Sequence, residues 1–273
     1  MKQKIAIVGT GKMGKALAHG FLNKKIIKPS QLILTKPDLS DLSEFAKNGV
    51  QVTTDNKIAV QKADIVIFAV KPQVMSEVLR EVQPVIKNTQ LIISIAAGTT
   101  IRKITKFIGK GGVIVRVMPN LCTQIGESVS GWTTNKKLTK AQQKLVIEIL
   151  EAVGTQVYIS KENLINAVTA ISGSGPAYFF YLANALEEAG VSLGLPKKIA
   201  ANLANQTLIG SGLLLKSTNK TTKDLISSVA SKGGTTEAAL KIFNEQNLTQ
   251  KFLYGVKAAA ERAETLNSFN NSN

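Results

Sequence analysis

Within its first fourteen residues the chain reads Ile5-Ala6-Ile7-Val8 and then Gly9-Thr10-Gly11-Lys12-Met13-Gly14, an apolar run followed by a complete G-x-G-x-x-G. Nothing else in the sequence narrows the fold so far. Four consecutive aliphatic residues predict a strand buried on both faces. In a strand–turn–helix the three glycines have separable jobs. Gly9 permits the tight turn, Gly11 lets a pyrophosphate approach the backbone, and Gly14 lets the helix pack closely on the strand. Free N–H groups at the helix start, aided by the helix dipole, then face the phosphates. Glycine-rich turns also arise by chance, so the weight of this one comes from its place between a strand and a helix.

Further strand runs occur at Leu32–Leu34, Asp64–Val70, Leu91–Ile95 and Val113–Val117, the first one extending over Lys4–Val8. Helical patterns lie between them, among them Met13–Leu22, Asp55–Gln61 and Val74–Val85. Such alternation predicts parallel pairing with right-handed crossovers. The expected class is α/β, with residues 1–160 an N-terminal Rossmann dinucleotide-binding domain. A strand near Ser128–Trp132, a helix over Lys140–Val153 and a strand at Gln156–Ile159 would complete it.

From Lys161 onward strand runs vanish, and residues 161–273 read as an all-helical domain. Helical spacing covers Tyr178–Ala189, Lys197–Leu215, Thr235–Asn244 and Thr249–Ala263. Pro176 and Pro196 sit where helices start, while Gly190, Gly194 and Gly210–Gly212 interrupt or end them. Asn267–Asn273 reads as a frayed polar tail. The stretch Lys197–Leu215 is apolar on more than one side and must be buried. Few partners for it exist within one chain, so self-association through this half is expected.

Composition removes several function classes. With one cysteine, Cys122, and one histidine, His19, neither a disulfide framework nor a Cys/His metal centre is expected. No uncharged apolar run is long enough to cross a bilayer, and the first is too short for a signal peptide. A cytoplasmic location without a membrane partner is the expectation. The formal charge of +16 is uneven: residues 1–160 hold 23 Lys+Arg against 10 Asp+Glu, and the rest hold 11 against 8. The excess therefore lies with the phosphate-binding turn. Scattered lysines, 5% aromatics and the lack of a nucleic-acid motif speak against nucleic acid as the partner.

The second strand and its tip read Leu32-Ile33-Leu34-Thr35-Lys36-Pro37-Asp38. NAD-specific sites place a carboxylate there, on the ribose 2′-OH. Thr35 and Lys36 instead offer a hydroxyl and a cation to a 2′-phosphate. That favours NADPH, while Asp38 two residues beyond leaves NADH possible.

Five later segments narrow the reading. Ala69-Val70-Lys71-Pro72-Gln73, Ser94-Ile95-Ala96-Ala97-Gly98 and Arg116-Val117-Met118-Pro119-Asn120 each close a strand. Ligands bind at the carboxyl ends of parallel strands, so the three are expected to line one crevice. Ser172-Gly173-Ser174-Gly175-Pro176-Ala177-Tyr178 and Gly233-Gly234-Thr235-Thr236 each begin a helix. In this order, across essentially the whole chain, these motifs resemble the pyrroline-5-carboxylate reductase family; the SGSGPAY and GGTT segments are the specific ones.

The resemblance implies a Rossmann domain followed by a helical dimerisation domain. It implies NAD(P)H-dependent reduction of the cyclic imine 1-pyrroline-5-carboxylate to L-proline. Carried over by position, Val8, Gly9, Thr10, Gly11, Lys12, Met13, Thr35, Asn56, Ala69, Val70, Lys71, Pro72 and Ala97 would contact the cofactor. Thr235 and Thr236 would contact substrate across a subunit boundary, with Glu162 a further candidate. Locally, Gly233 and Gly234 can present bare N–H groups to the substrate carboxylate, and the Thr236 hydroxyl can orient the imine nitrogen. Thr is also a good N-cap, and Ser172 and Ser174 are as well suited to capping the Pro176 helix as to touching substrate.

Imine chemistry also accounts for the absence of a His/Asp or Cys/His pair, because a cyclic imine can be protonated from solvent before hydride arrives. Two departures from the family pattern stand out: Lys232 where many relatives have proline, and Leu121-Cys122 where they continue with Thr-Pro. They leave room for a paralogue acting on a different imine. A 3-hydroxy acid dehydrogenase would carry a lysine on the first long helix of its second domain, and none occurs from Gly173 to Pro196. A non-catalytic NADP-binding regulator stays open.

Overall fold

The aliphatic runs assemble into one sheet of eight strands in the order β3-β2-β1-β4-β5-β6-β7-β8. These are β1 (Ile5–Val8), β2 (Leu32–Thr35), β3 (Gln51–Thr53), β4 (Ile65–Phe68), β5 (Leu91–Ser94), β6 (Val113–Met118), β7 (Ser128–Thr134) and β8 (Gly154–Tyr158). The structure, a computed structural model, describes residues 1–109 and 111–272, with side chains up to 266. The polar tail expected at Asn267–Asn273 falls outside the described side chains.

Alternation within each strand divides the core in two. Ile5, Ile7, Leu32, Leu34, Ile65 and Ile67 point to one face. There they meet Leu17 and Phe21 of α1 (Lys12–Asn23), Phe45 of α2 (Ser43–Lys47) and Ile149 of α6 (Lys140–Glu151). Ala6, Val8, Ile33, Val66 and Phe68 point to the other. They meet Val60 of α3 (Asn56–Lys62), Leu79 of α4 (Met75–Val82) and Ile104 of α5 (Ile101–Ile108). Full burial of a side chain such as Phe21 or Leu34 contributes roughly 1.5–3 kcal/mol, which is why runs of this kind form the centre of the sheet.

Two expectations need correction. Pairing is parallel from β3 through β6, but β7 runs antiparallel to β6, with β8 parallel to β7. The connection from Met118 to Ser128 holds only the short turn Leu121–Ile125, too little for a crossover helix, so the chain doubles back. Gly210 and Gly212 do not interrupt a helix either. They lie inside α9 (Lys197–Ser217), and Gly190 lies inside α8 (Gly175–Ser192); Gly194, with φ of 93°, does follow a helix end. Strand β3 carries little signal in the sequence, because Gln51-Val52-Thr53 is a short, half-exposed edge.

The chain divides into two compact units, Met1–Gly173 with the last helix from Ala259, and Ser174–Ala258. The second unit contains α8, α9, α10 (Thr222–Val229), α11 (Thr235–Glu245) and the first part of α12 (Leu248–Ser272); the short α7 (Ile165–Val168) belongs to the first. Helices α8 and α9 cross on small residues. Ala183, Ala200 and Ala204 are buried, and a Cβ on Gly190 would come within 2.9 Å of the Ala200 Cβ. The large side chains are left outside in a single chain, with Tyr181 75% and Leu193 84% exposed, and Phe180, Leu213 and Leu214 each more than half exposed. Among the described residues no helix is long and apolar enough to cross a membrane.

Candidate active site

The strand order reverses between β1 and β4, and a cleft of about 780 Å³ opens at their carboxyl ends. It is lined by Gly9, Gly11, Thr35, Lys36, Asn56, Ala69, Val70 and Lys71, all expected there. A crevice outside the carboxyl ends of strands at such a reversal is where nucleotides bind in open α/β sheets.

Gly9 has φ of 90°, a conformation L-residues avoid. A Cβ there would also lie 2.8 Å from the Val70 backbone nitrogen. Gly14 packs against the turn, since its Cβ would come 2.9 Å from the Gly9 carbonyl oxygen. Gly11 is different: nothing lies within 4 Å of where its Cβ would be, and it is the N-cap of α1. The N–H groups of Gly9 and Thr10 donate to the Thr35 carbonyl, and that of Gly11 to Gly9. Those of Lys12 and Met13, the first of the helix, have no partner among the described residues. A phosphate fits this cradle in charge and space. Val8 and Thr10 are buried beneath it, and Lys12 and Met13 stand at its helix side. Pro72 starts the short turn after β4, and Ala97 follows β5, half-buried.

At the tip of β2, Thr35 is fully buried and donates its hydroxyl to Asn56 Oδ1 at 2.6 Å. Asn56 Nδ2 in turn donates to Glu81 Oε2 at 2.8 Å. The Thr35 hydroxyl is thus engaged within the wall, and Lys36 is the polar group of the tip that reaches out. Asp38 accepts from the N–H and hydroxyl of Ser40, each at 2.9 Å, which hold its carboxyl below the usual range. Glu77, Glu81, Thr54 and Val74 also line the cleft and were not picked out from sequence. The i, i+4 spacing of Glu77 and Glu81 on α4 was the available signal.

Of the three strand-closing segments expected in one crevice, only Ala69–Gln73 contributes to this cleft. Arg116 is buried and paired with Glu162 Oε1 at 2.9 Å. The same oxygen accepts from the Ile101 N–H at 2.8 Å, at the start of α5. Glu162 therefore fastens the segment after Ala97 to β6. Asn120 turns inward, its Oδ1 accepting from the Cys122 N–H and its own N–H donating to the Ser128 hydroxyl.

On the second unit, Gly234 is the N-cap of α11 and Gly233 has φ of 72°. The expectation of bare glycine N–H groups fails. The Gly233 N–H donates to Glu237 Oε2 at 2.6 Å, and the Gly234 N–H to the Ser231 carbonyl. Glutamate three residues beyond an N-cap is a capping spacing, a signal for this bond that the sequence itself carries. Thr236 is half-buried and Thr235 exposed, and their hydroxyls have no partner among the described residues. Both lie inside the helix, so neither caps it. Ser174 occupies the N-cap of α8 without a side-chain cap bond, and the Ser172 hydroxyl donates back to the Val168 carbonyl, so neither serine caps that helix.

Residues 162–266 match the model of the pyrroline-5-carboxylate reductase dimerisation domain. Residues 4–98 match that of the coenzyme F420-dependent NADP oxidoreductases. The pyrroline-5-carboxylate reductase of Methanosarcina acetivorans is 38% identical over 97% of this chain and 98% of its own. Among solved structures, that of a pyrroline-5-carboxylate reductase from Coxiella burnetii superposes with a TM-score of 0.92 at 35% identity, over 97% of this chain and 99% of the other. The Plasmodium falciparum enzyme, solved with NADP bound, does so at 0.86 and 31% identity, over 97% and 98%. With its glycine-turn cleft, its helical second unit and these full-length matches, the chain belongs to the pyrroline-5-carboxylate reductase family.

Proposed function

We propose that the chain reduces 1-pyrroline-5-carboxylate to L-proline with NADPH, the last step of proline biosynthesis, in the cytoplasm. The observation that carries this is the β1/β4 cleft, with its phosphate cradle and Lys36 at the β2 tip, in a chain whose full length matches enzymes of that name. Residues 1–160 would hold the cofactor, and residues 161–273 the substrate and the contacts between copies.

When bound, a reduced nicotinamide supplies hydride to the imine carbon, and the nitrogen, already protonated from solvent, becomes the secondary amine of proline. The chain's own residues bind, orient and desolvate. Val8, Gly9, Thr10, Gly11, Lys12 and Met13 form the pyrophosphate cradle. Lys36 selects the 2′-phosphate, while Thr35 and Asn56 brace each other in the wall. Ala69, Val70, Lys71 and Pro72 close the opposite wall. Ala97 lies on the segment that Glu162 anchors, so Glu162 acts by holding that segment. Gly233 and Gly234 shape the substrate loop, Thr235 contacts the substrate, and Thr236 orients the imine nitrogen. This loop comes from the partner subunit. The apolar surface left outside by α8 and α9 supports an obligate dimer, because a face of that kind is stable only when covered.

Steady-state oxidation of NADPH and NADH with 1-pyrroline-5-carboxylate, beside six-membered cyclic imines, tests the reading. The expected result is turnover of the five-membered imine with NADPH preferred. Turnover of only a larger imine would replace the substrate, and cofactor binding without turnover would replace the enzyme by a regulator.

A further inference from the structure

Lys36 Nζ and Lys15 Nζ both donate to one oxygen, Asp41 Oδ2, at 2.7 and 2.9 Å. Lys36 lines the cleft at the β2 tip. Lys15 stands in the first turn of α1, immediately after Gly14, and Asp41 in the turn Ser40–Leu42. That turn is fixed by the two bonds from Ser40 to Asp38. The three charged side chains are each between 27 and 40% exposed. Lys36 first and Lys15 second lower the Asp41 pKa to about 2, so it stays ionised at any physiological pH.

Two ammonium groups converging on a single anionic oxygen is an arrangement that also fits a phosphate oxygen, which lysine binds as a point charge. A ribose hydroxyl cannot displace the carboxylate, because it brings no charge. A phosphate monoester brings close to two negative charges and three acceptor oxygens.

Resting on the reading of the cleft as an NADP site, we propose that Lys15 joins Lys36 in a two-lysine subsite for the 2′-phosphate, with Asp41 as its built-in competitor. Without cofactor, Asp41 holds the ammonium groups together and limits their repulsion. On binding, a phosphate oxygen takes over the position of Asp41 Oδ2. Lys15 is then a specificity-determining residue carried by the same helix that presents the pyrophosphate cradle. Asp41 moderates the preference, so the cofactor is held less tightly than two free lysines would hold it.

Adenosine 2′,5′-bisphosphate and 5′-AMP differ only in the 2′-phosphate, so the ratio of their affinities isolates the subsite. Isothermal titration of both against wild type, Lys15→Gln and Asp41→Asn, at low and high salt, reads it directly. The ratio should fall about three- to tenfold in Lys15→Gln and rise about three- to tenfold in Asp41→Asn, the size expected of a partly screened charge contact. Both changes should shrink at high salt. An unchanged ratio in either variant overturns the subsite, and so does a fall in Asp41→Asn, which would make Asp41 a staple the loop needs. Equal affinity of wild type for the two probes would instead overturn the NADP reading itself.

Discussion

Replacing Gly9 and Gly11 separately by alanine separates folding from cofactor binding within one turn. Gly9 has φ of 90°, and an L-residue held in a left-handed conformation costs roughly 1–2 kcal/mol. The new Cβ would lie 2.8 Å from Val70 N and 2.9 Å from Val70 Cα. These are backbone atoms at the exit of a central strand, and overpacking of such a site costs about 1–3 kcal/mol. Together Gly9→Ala should lose about 2–5 kcal/mol, which at roughly 2–4 °C per kcal/mol lowers the melting temperature by about 5–20 °C. Gly11 has φ of −77°, which alanine accepts, and nothing stands within 4 Å of the added methyl. Gly11→Ala should therefore melt within about 2 °C of wild type, a surface change without strain. Its methyl nonetheless enters the cleft that Gly11 lines, at the proposed phosphate cradle. NADPH affinity should fall by about tenfold or more. Scanning calorimetry and NADPH titration on both variants check this. Wild-type NADPH affinity in Gly11→Ala, or wild-type melting in Gly9→Ala, would refute the reasoning.

Thr236→Ala should lower turnover about ten- to a thousandfold, equivalent to about 1.4–4 kcal/mol of lost transition-state stabilisation. Thr236→Ser should keep much of the activity in single-turnover hydride transfer. Because Gly234 and not Thr236 is the N-cap of α11, the alanine variant should melt close to wild type, and a large drop in melting temperature with normal turnover would end the substrate-contact role. Lys36→Glu should reduce NADPH efficiency far more than NADH efficiency, and equal losses in steady-state kinetics would remove Lys36 from the 2′-phosphate site. Phe180→Glu and Leu213→Glu, on faces left exposed in a single chain, should shift the species seen in sedimentation from dimer toward monomer and abolish activity; a fully active monomer would contradict the obligate dimer.

What the sequence made legible follows physical lines. Ile5–Val8, Leu91–Ser94 and the glycine turn were readable because burial on both faces leaves an aliphatic run, and φ of 90° leaves a glycine. The antiparallel β7 was less visible, since its direction depends on the length of a connection and not on its own residues. The pairing of Thr35 with Asn56 and the shared Asp41 oxygen join residues brought together only by packing. Residue types and spacing are silent on such pairs. Gly233 and Gly234 show the reverse case: Glu237 stands at the capping spacing in the sequence, and its carboxylate engages the Gly233 N–H that a glycine pair alone would leave bare.

Delivery of hydride from this cleft to a five-membered cyclic imine would leave the hydrogen of the cofactor on one carbon of the product. Incubation of the purified protein with 1-pyrroline-5-carboxylate and NADPH carrying deuterium at the transferring position, followed by mass spectrometry and NMR of the product, traces that hydrogen. The expected result is L-proline with one deuterium on the δ-carbon, the former imine carbon. NADPH that binds but is not consumed, or proline formed without deuterium there, would contradict that delivery.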